Sequence, residues 1–461
     1  MKRNKIRGNA DKKFIPAKQM FRKIIQLMRI VGIYLPEERR SWKRISYWGY
    51  MIILAIFNLM SLVRQLWVVV HSMNVTCYIV SVGILIYHTG IAYFYMRACY
   101  RIMKHFALLM KILDNYRSCF GEFCRVSQII KLIRFTEVVV CVVTPLMAVS
   151  AVYYSFDSSI LREIAGIFWP FNHNTPLNSL LGILFFGFES LRSSGLQLVL
   201  SVIFFLIWYI LITEFGDIDR AIKELILKRS EPNNPKIINV QELAKDLAQK
   251  NVNVDSCEEP RISNSQDRTD KYLKKLQDET TDYLTYFHKQ SEEELETIRN
   301  RFEGLLDILA AANDVLEHFI VSLYFTSLPV IFLLVYGIIK DSANTPMLMI
   351  ICAISMYNSS SLLWNLLAGA YLSLKIKKPL EYVMKINMKN SSVNLLSTVS
   401  LLTARLNSSP IGFTVCDVVT IDTTTMFTIF GTLLTYAIVI FQFAQTADTS
   451  APNYLNATFV Q

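Results

Sequence analysis

Seven stretches of this chain are apolar over the length a helix needs to cross a bilayer, about twenty residues. They fall at roughly 45–70, 77–96, 135–154, 179–213, 318–339, 346–374 and 423–445. A water-facing core built from shorter amphipathic segments cannot use runs of this kind. Composition agrees. The chain is 52% hydrophobic and 18% charged, with a mean hydropathy of +0.34, where an ordinary soluble domain is about 25% charged. The predicted fold class is therefore an all-α membrane protein with seven transmembrane helices. The eight cysteines are dispersed and no pair has zinc-ligand or thioredoxin spacing, which excludes a disulfide scaffold.

Charge sets the expected orientation. Residues 1–44 hold fourteen Lys and Arg against three acids, and a basic leader before the first span reads as cytoplasmic. Within it, 19–35 is apolar at helical spacing with Arg22, Lys23 and Arg29 interspersed, the pattern of a helix lying in the membrane interface. Alternation then places connections 97–134, 214–317 and 375–422 inside, and 71–76, 155–178, 340–345 and the C-terminus outside. The inner connection 97–134 carries eight Lys and Arg against two acids, and 155–178 only Arg162 against Asp157 and Glu163. The net charge of +10 thus has a membrane explanation, and no nucleic-acid partner is expected.

The chain divides accordingly. A basic N-terminus, 1–44, precedes spans one to four within 45–213. A long cytoplasmic stretch, 214–317, precedes spans five and six within 318–374. Segment 375–422 leads to the last span, 423–445, and a tail, 446–461. The fourth span reads as one helix over 179–229, too long for the hydrocarbon alone. With amphipathic patterns at 292–317 and 392–406 it predicts a helical domain on the cytoplasmic side. The polar stretch of about 230–270, with Pro232, Pro235 and Pro260, reads as a disordered insert.

No catalytic constellation is present. The histidines are scattered, and the phosphate-cradling, zinc-protease and nucleophile-elbow motifs are missing. The sequence predicts neither an enzyme, nor a metal site, nor a cofactor. The last span is the informative element. Thr425, Thr428, Thr432, Thr435 and Gln442 recur at spacings of three, four, three and seven, with Val439 filling the gap. They share one helical face. Such a stripe serves either helix–helix packing through small hydroxyl residues or the lining of a weakly selective ion path. Periodicity alone leaves both open.

Thr435-Tyr436, five apolar residues and then Gln442-Phe443 resemble the signature that ends the insect gustatory receptor family. Upstream, Pro410-Ile-Gly412-Phe-Thr414 is similar to that family's approach to its last helix. The resemblance implies a tetrameric ligand-gated cation channel of the plasma membrane of sensory neurons. Its partners would be a small-molecule tastant, the bilayer, and further copies or related receptor subunits. One last helix per subunit would line the pore, and the cytoplasmic helices would form an anchor domain. It also implies that Gln442 and Phe443 constrict the closed pore and that Thr435 and Tyr436 couple this helix to its neighbours. Two departures stand out: Ala437 replaces the acid that many sugar-receptor members carry after the Thr-Tyr pair, and the fourth-to-fifth connection is long.

The resemblance further implies ligand binding in the outer half of the first six spans. Polar or aromatic residues at that depth are Tyr87, His88, Tyr153, Tyr154, Phe186, Glu189, Tyr336, Tyr357 and Asn358. Glu189 is the costliest to place, since an acid inside a span needs a partner or water. The local partner available to it is Arg192, three residues on. Competing readings are a seven-helix G-protein-coupled receptor, which the predicted orientation opposes, and a secondary transporter, for which no inverted repeat is visible.

Overall fold

A computed structural model describes residues 16–33, 41–71, 75–123, 125–157, 176–230, 263–340, 345–384, 393–407, 411–416 and 418–450. Helices dominate it. A short pair, α1 (Ala17–Met20) and α2 (Arg22–Ile30), is followed by α3 (Ser41–His71), α4 (Val75–Phe120), α5 (Val126–Asp157) and α6 (Pro176–Ser230). Next come α7 (Ser263–Lys340), α8 (Thr345–Val383), α9 (Val393–Asn407) and α10 (Thr423–Ser450). Each of the seven apolar runs lies inside one of the long helices. Among the described residues, Trp48–His71, Leu180–Ile226, Glu292–Leu333 and Thr423–Gln442 are long and apolar enough to cross a membrane.

Several helices run past the predicted ends of their spans. At 1.5 Å per residue, the 46 residues of α4 and the 78 of α7 far exceed the hydrocarbon thickness. α7 begins at Ser263, inside the stretch read from sequence as a disordered insert. The rest of that insert, 231–262, lies outside the described residues, as do the first fifteen residues and 451–461.

The chain forms two compact units. One comprises Met1–Glu214, Leu305–Leu374 and Pro410–Gln461, the other Phe215–Gly304 and Lys375–Ser409. The second unit is a helical core with regular spacing. Phe215, Ile218, Ile222 and Leu225 of α6 are buried, as are Leu295, Ile298 and Phe302 of α7 and Leu395, Val399, Leu402 and Leu406 of α9. Phe215 and Phe302 meet edge to face at 5.6 Å, and Arg301 Nη1 donates to Asp217 Oδ2 at 2.8 Å. Steps of three and four residues put each set on one helical face.

In the first unit, the N-terminal helix pair buries Ala17, Phe21, Ile24, Ile25 and Met28. Its partners are protein: the Ala17 amide donates to Asp114 Oδ1 of α4 at 2.6 Å, and Lys23 pairs with Glu137 of α5 at 2.5 Å. Asp114 thus caps, from another helix, an amide that has no intrahelical acceptor. Small residues bring α4 and α7 together. A Cβ on Gly90 would lie 2.0 Å from Thr326 Cγ2, and Ser322 Oγ donates to the Gly90 carbonyl at 3.2 Å. Close backbone approach through glycine is the usual contact between helices in lipid.

Between α9 and α10 the chain makes a feature the sequence did not suggest. β1 (Thr414–Val415) and β2 (Val419–Thr420) pair antiparallel, with Thr414 opposite Thr420 and Val415 opposite Val419. Cys416 at the turn has φ 55°, a left-handed conformation that non-glycine residues rarely adopt.

Candidate functional site

Glu189 of α6 is 3% exposed, and its main partner is Arg64 of α3 rather than Arg192. Arg64 Nη2 approaches Glu189 Oε2 at 2.6 Å, and His88 Nδ1 of α4 lies 3.2 Å from Oε1. Arg192 turns to α3 instead, donating to the Leu54 carbonyl at 3.2 Å and to Asn58 Oδ1. The Arg64 guanidinium also lies over the Phe185 ring, 5.7 Å from its centroid. Three helices are thereby tied by one buried charged cluster. Neither Arg64 nor Glu189 is tolerable alone in such a place, since an unpaired buried charge costs several kcal/mol.

Beside this cluster is a small cavity of about 40 Å³ lined by Tyr87, Ser193, Gln197, Phe319, Ser322 and Thr326 with three leucines. A water needs roughly 10–15 Å³ of such space, so the cavity as it stands takes a few waters. Its wall is mainly apolar, with a few neutral hydrogen-bonding groups set in it. Tyr87 Oη donates to Gln197 Oε1 at 3.1 Å, and Thr326 Oγ1 donates to the Ser322 carbonyl at 2.6 Å.

The approach to α10 is firmly seated. Phe413 is fully buried with its ring centroid 4.7 Å from that of Phe204 on α6. The Ile421 amide donates to the Phe413 carbonyl at 2.8 Å. Ile421 itself is fully buried, in space left by Gly369 of α8, where a Cβ would lie 2.6 Å from Ile421 Cγ2. Asp422 then caps α10, accepting from the Thr425 amide at 2.8 Å.

α10 itself has little cover: none of its apolar stretch Thr423–Gln442 is buried. The cover it has is one-sided. Met426, Ile429, Leu433, Ala437 and Ile440 are half-buried, at spacings of three, four, four and three. Thr428, Thr432, Thr435, Val439 and Gln442 are exposed and lie on the opposite face. The hydroxyls of Thr428, Thr432 and Thr435 donate to the carbonyls of Thr424, Thr428 and Gly431 at 2.8–2.9 Å. With their protons turned to the backbone, they present oxygen lone pairs outward. Thr425, first in the predicted stripe, instead donates to the Thr420 carbonyl at 2.8 Å and belongs to the cap. Tyr436 meets Phe332 of α7 at 5.1 Å between ring centroids.

Residues 263–447 match the family described as 7tm Chemosensory receptor. The chain is similar to that family over this C-terminal part. The fold is that of an all-α membrane protein. Its fold is similar to that of an insect olfactory receptor from Machilis hrabei, with a TM-score of 0.55, 13% identity, and cover of 92% of this chain and 98% of that one. The same receptor in complex with eugenol gives a TM-score of 0.52 at equal identity and cover. No curated protein matches the sequence.

In the structure, Tyr87, His88 and Glu189 come together, and Tyr357 and Ser193 are neighbours of Tyr87. Asn358 is buried on α8 and Tyr336 half-buried on α7; neither lines the cavity. The side chains of Tyr153, Tyr154, Phe186 and Phe443 lie outside the described residues. Sequence reasoning missed Ser193, Gln197, Phe319, Ser322 and Thr326. The signal was present: 319, 322, 323 and 326 repeat at helical spacing, as do 193, 196, 197 and 200.

Proposed function

We propose that this chain is a chemosensory receptor, a gustatory, ligand-gated, non-selective cation channel of the plasma membrane of sensory neurons. Four subunits, identical or related, surround a pore lined by the Thr428–Thr432–Thr435–Val439–Gln442 face of α10, with Gln442 and Phe443 at the constriction. The N-terminus is cytoplasmic, the C-terminus extracellular, and the second compact unit is the cytoplasmic anchor. One observation carries this reading. α10 is an apolar membrane helix whose polar face is uncovered while its opposite face leans on protein. A polar stripe has no reason to face lipid, and further copies around a central water path give it one. The neutral oxygens of the stripe suit cations without strong selection among them. The Thr-Tyr and Gln-Phe signature favours the gustatory over the olfactory subtype.

The tastant enters at the small cavity and the cluster around Glu189, formed by Tyr87, His88, Glu189 and Tyr357, with Tyr153, Tyr154, Phe186, Tyr336 and Asn358 as outlying contacts. The cavity must widen to admit it, so a ligand that fits the widened form shifts a pre-existing equilibrium. α7 suits the role of transmitter, since it lines the cavity and touches α10 through Phe332 and Tyr436.

The test is whole-cell current from cells expressing the chain alone, challenged with sugars, polyols, bitter compounds and the phenol eugenol. The expected result is a ligand-evoked cation current that Gln442→Ala and Phe443→Ala alter at normal surface expression. Surface-expressed protein in which neither substitution changes any current would overturn the assignment of the pore.

A further inference from the structure

We infer that Asn313 of α7 is a positioning residue that fixes the foot of α10 to α7 and thereby sets how readily the pore opens; this rests on the channel reading above. Its carboxamide grips the backbone on both sides of Phe413. Nδ2 donates to the Gly412 carbonyl at 3.1 Å, and Oδ1 accepts from the Thr414 amide at 3.4 Å. A donor and an acceptor at the same reach are available only from an amide side chain. Asp lacks the donor, and Gln is one methylene longer.

What Asn313 holds leads without a loose link into α10. The Phe413 carbonyl accepts from the Ile421 amide, the β1–β2 pair closes the hairpin, and Asp422 caps the helix that starts at the next residue. The hairpin has no room to slide. Gly412 faces Thr420 Cγ2 and Ser373 Cβ, at 3.0 and 3.5 Å from where its own Cβ would stand, and Gly369 receives Ile421. Gly412, Phe413 and Thr414 of the approach segment thus have a physical role: they are the part of the chain that α7 grips.

The position of Asn313 on α7 gives the grip its consequence. Phe319, Ser322 and Thr326 line the cavity, and Phe332 meets Tyr436 on α10. The cavity wall therefore lies on α7 between two attachments to the pore helix, Asn313 at its foot and Phe332 further along. They are nineteen residues apart on one helix, roughly 28 Å. A displacement of α7 at the cavity has to change the strain at one attachment or the other. With the Asn313 grip released, α7 moves without carrying the foot of α10.

The test uses the full chain with Asn313→Leu, which keeps the side chain's size and removes both hydrogen bonds, and Asn313→Asp, which retains only the acceptor. Hydrogen exchange is followed by mass spectrometry on purified protein. The peptide covering 411–422 exchanges about tenfold faster in Asn313→Leu, while the α9 peptide 395–406 is unchanged. In single-channel recordings without added ligand, the open probability shifts by about threefold or more at unchanged unitary conductance. A residue with a merely structural role lowers surface expression and leaves open probability alone. Exchange of 411–422 equal to wild type would overturn the grip. Faster exchange with unaltered open probability would overturn its part in gating. If Asn313→Leu does not fold, the same two outcomes are read from Asn313→Asp. Wild-type protein at the surface with no current under any stimulus contradicts the channel reading, and the exchange data then still decide the grip.

Discussion

Arg64 and Glu189 meet at 2.6 Å with side chains 1% and 3% exposed, joining α3 to α6 through a charge pair with almost no access to water. The helical i, i+3 rule favoured Arg192 as partner of the acid. The fold gives Glu189 a stronger partner from another helix, and spends Arg192 on the Leu54 carbonyl and Asn58. Removal of either member takes the main charge partner from the other. Arg64→Ala and Glu189→Ala are each expected to lose about 3–5 kcal/mol, and Arg64→Met with Glu189→Leu to recover most of it. Thermal unfolding in detergent measures this, and a double variant no more stable than the singles would refute it.

Gly90 and Thr326 set the spacing of α4 and α7. Gly90→Ala places a methyl 2.0 Å from Thr326 Cγ2, an overlap that costs about 1–3 kcal/mol. Thr326→Ser removes the colliding methyl and keeps the hydroxyl that bonds the Ser322 carbonyl. Gly90→Ala is therefore expected to lower the melting temperature, and Thr326→Ser to rescue it in the double variant. A double variant as unstable as Gly90→Ala alone would mean the clash lies elsewhere.

Pro329 interrupts α7 between the cavity and Phe332. Proline supplies no amide to the carbonyl four residues back, that of Phe325, and an interior proline weakens a helix by about 3 kcal/mol or more in water. Pro329→Ala restores the bond and stiffens this part of α7. The expected outcome is a higher melting temperature with a smaller maximal ligand-evoked current. Equal current at higher stability would show that bending at Pro329 has no part in activation.

Much of the architecture was legible because a bilayer imposes length. Each apolar run of about twenty residues became part of a helix, and the stripe on α10 followed from its three-and-four spacing. The tertiary pairings were not legible. Arg64 lies far from Glu189 in sequence, and nothing local marks the two as partners. Ser193, Gln197, Ser322 and Thr326 look like ordinary small polar packing residues until α4, α6 and α7 are brought together. The hairpin at Thr414–Thr420 has two residues per strand, too few to show the alternation that identifies a strand. The contacts of the N-terminal helix pair were not legible either, since Asp114 and Glu137 belong to other helices.

The two faces of α10 are chemically distinguishable. Thr432→Val and Thr435→Val remove outward oxygens at equal size, and are expected to lower unitary conductance about twofold or more. Ile429→Ala and Leu433→Ala, on the half-buried face, are expected to change open probability and leave conductance alone. Single-channel recording separates the two quantities, and equal conductance losses on both faces would contradict the pattern.

The most direct measurement is cysteine scanning along α10 with a charged, membrane-impermeant thiol reagent applied to open channels. Cysteines at 428, 432, 435, 439 and 442 are expected to react and to reduce the current. Cysteines at 426, 429, 433, 437 and 440 are expected to leave it unchanged. Reaction without regard to face, or on the second set alone, would contradict a pore lined by the threonine stripe.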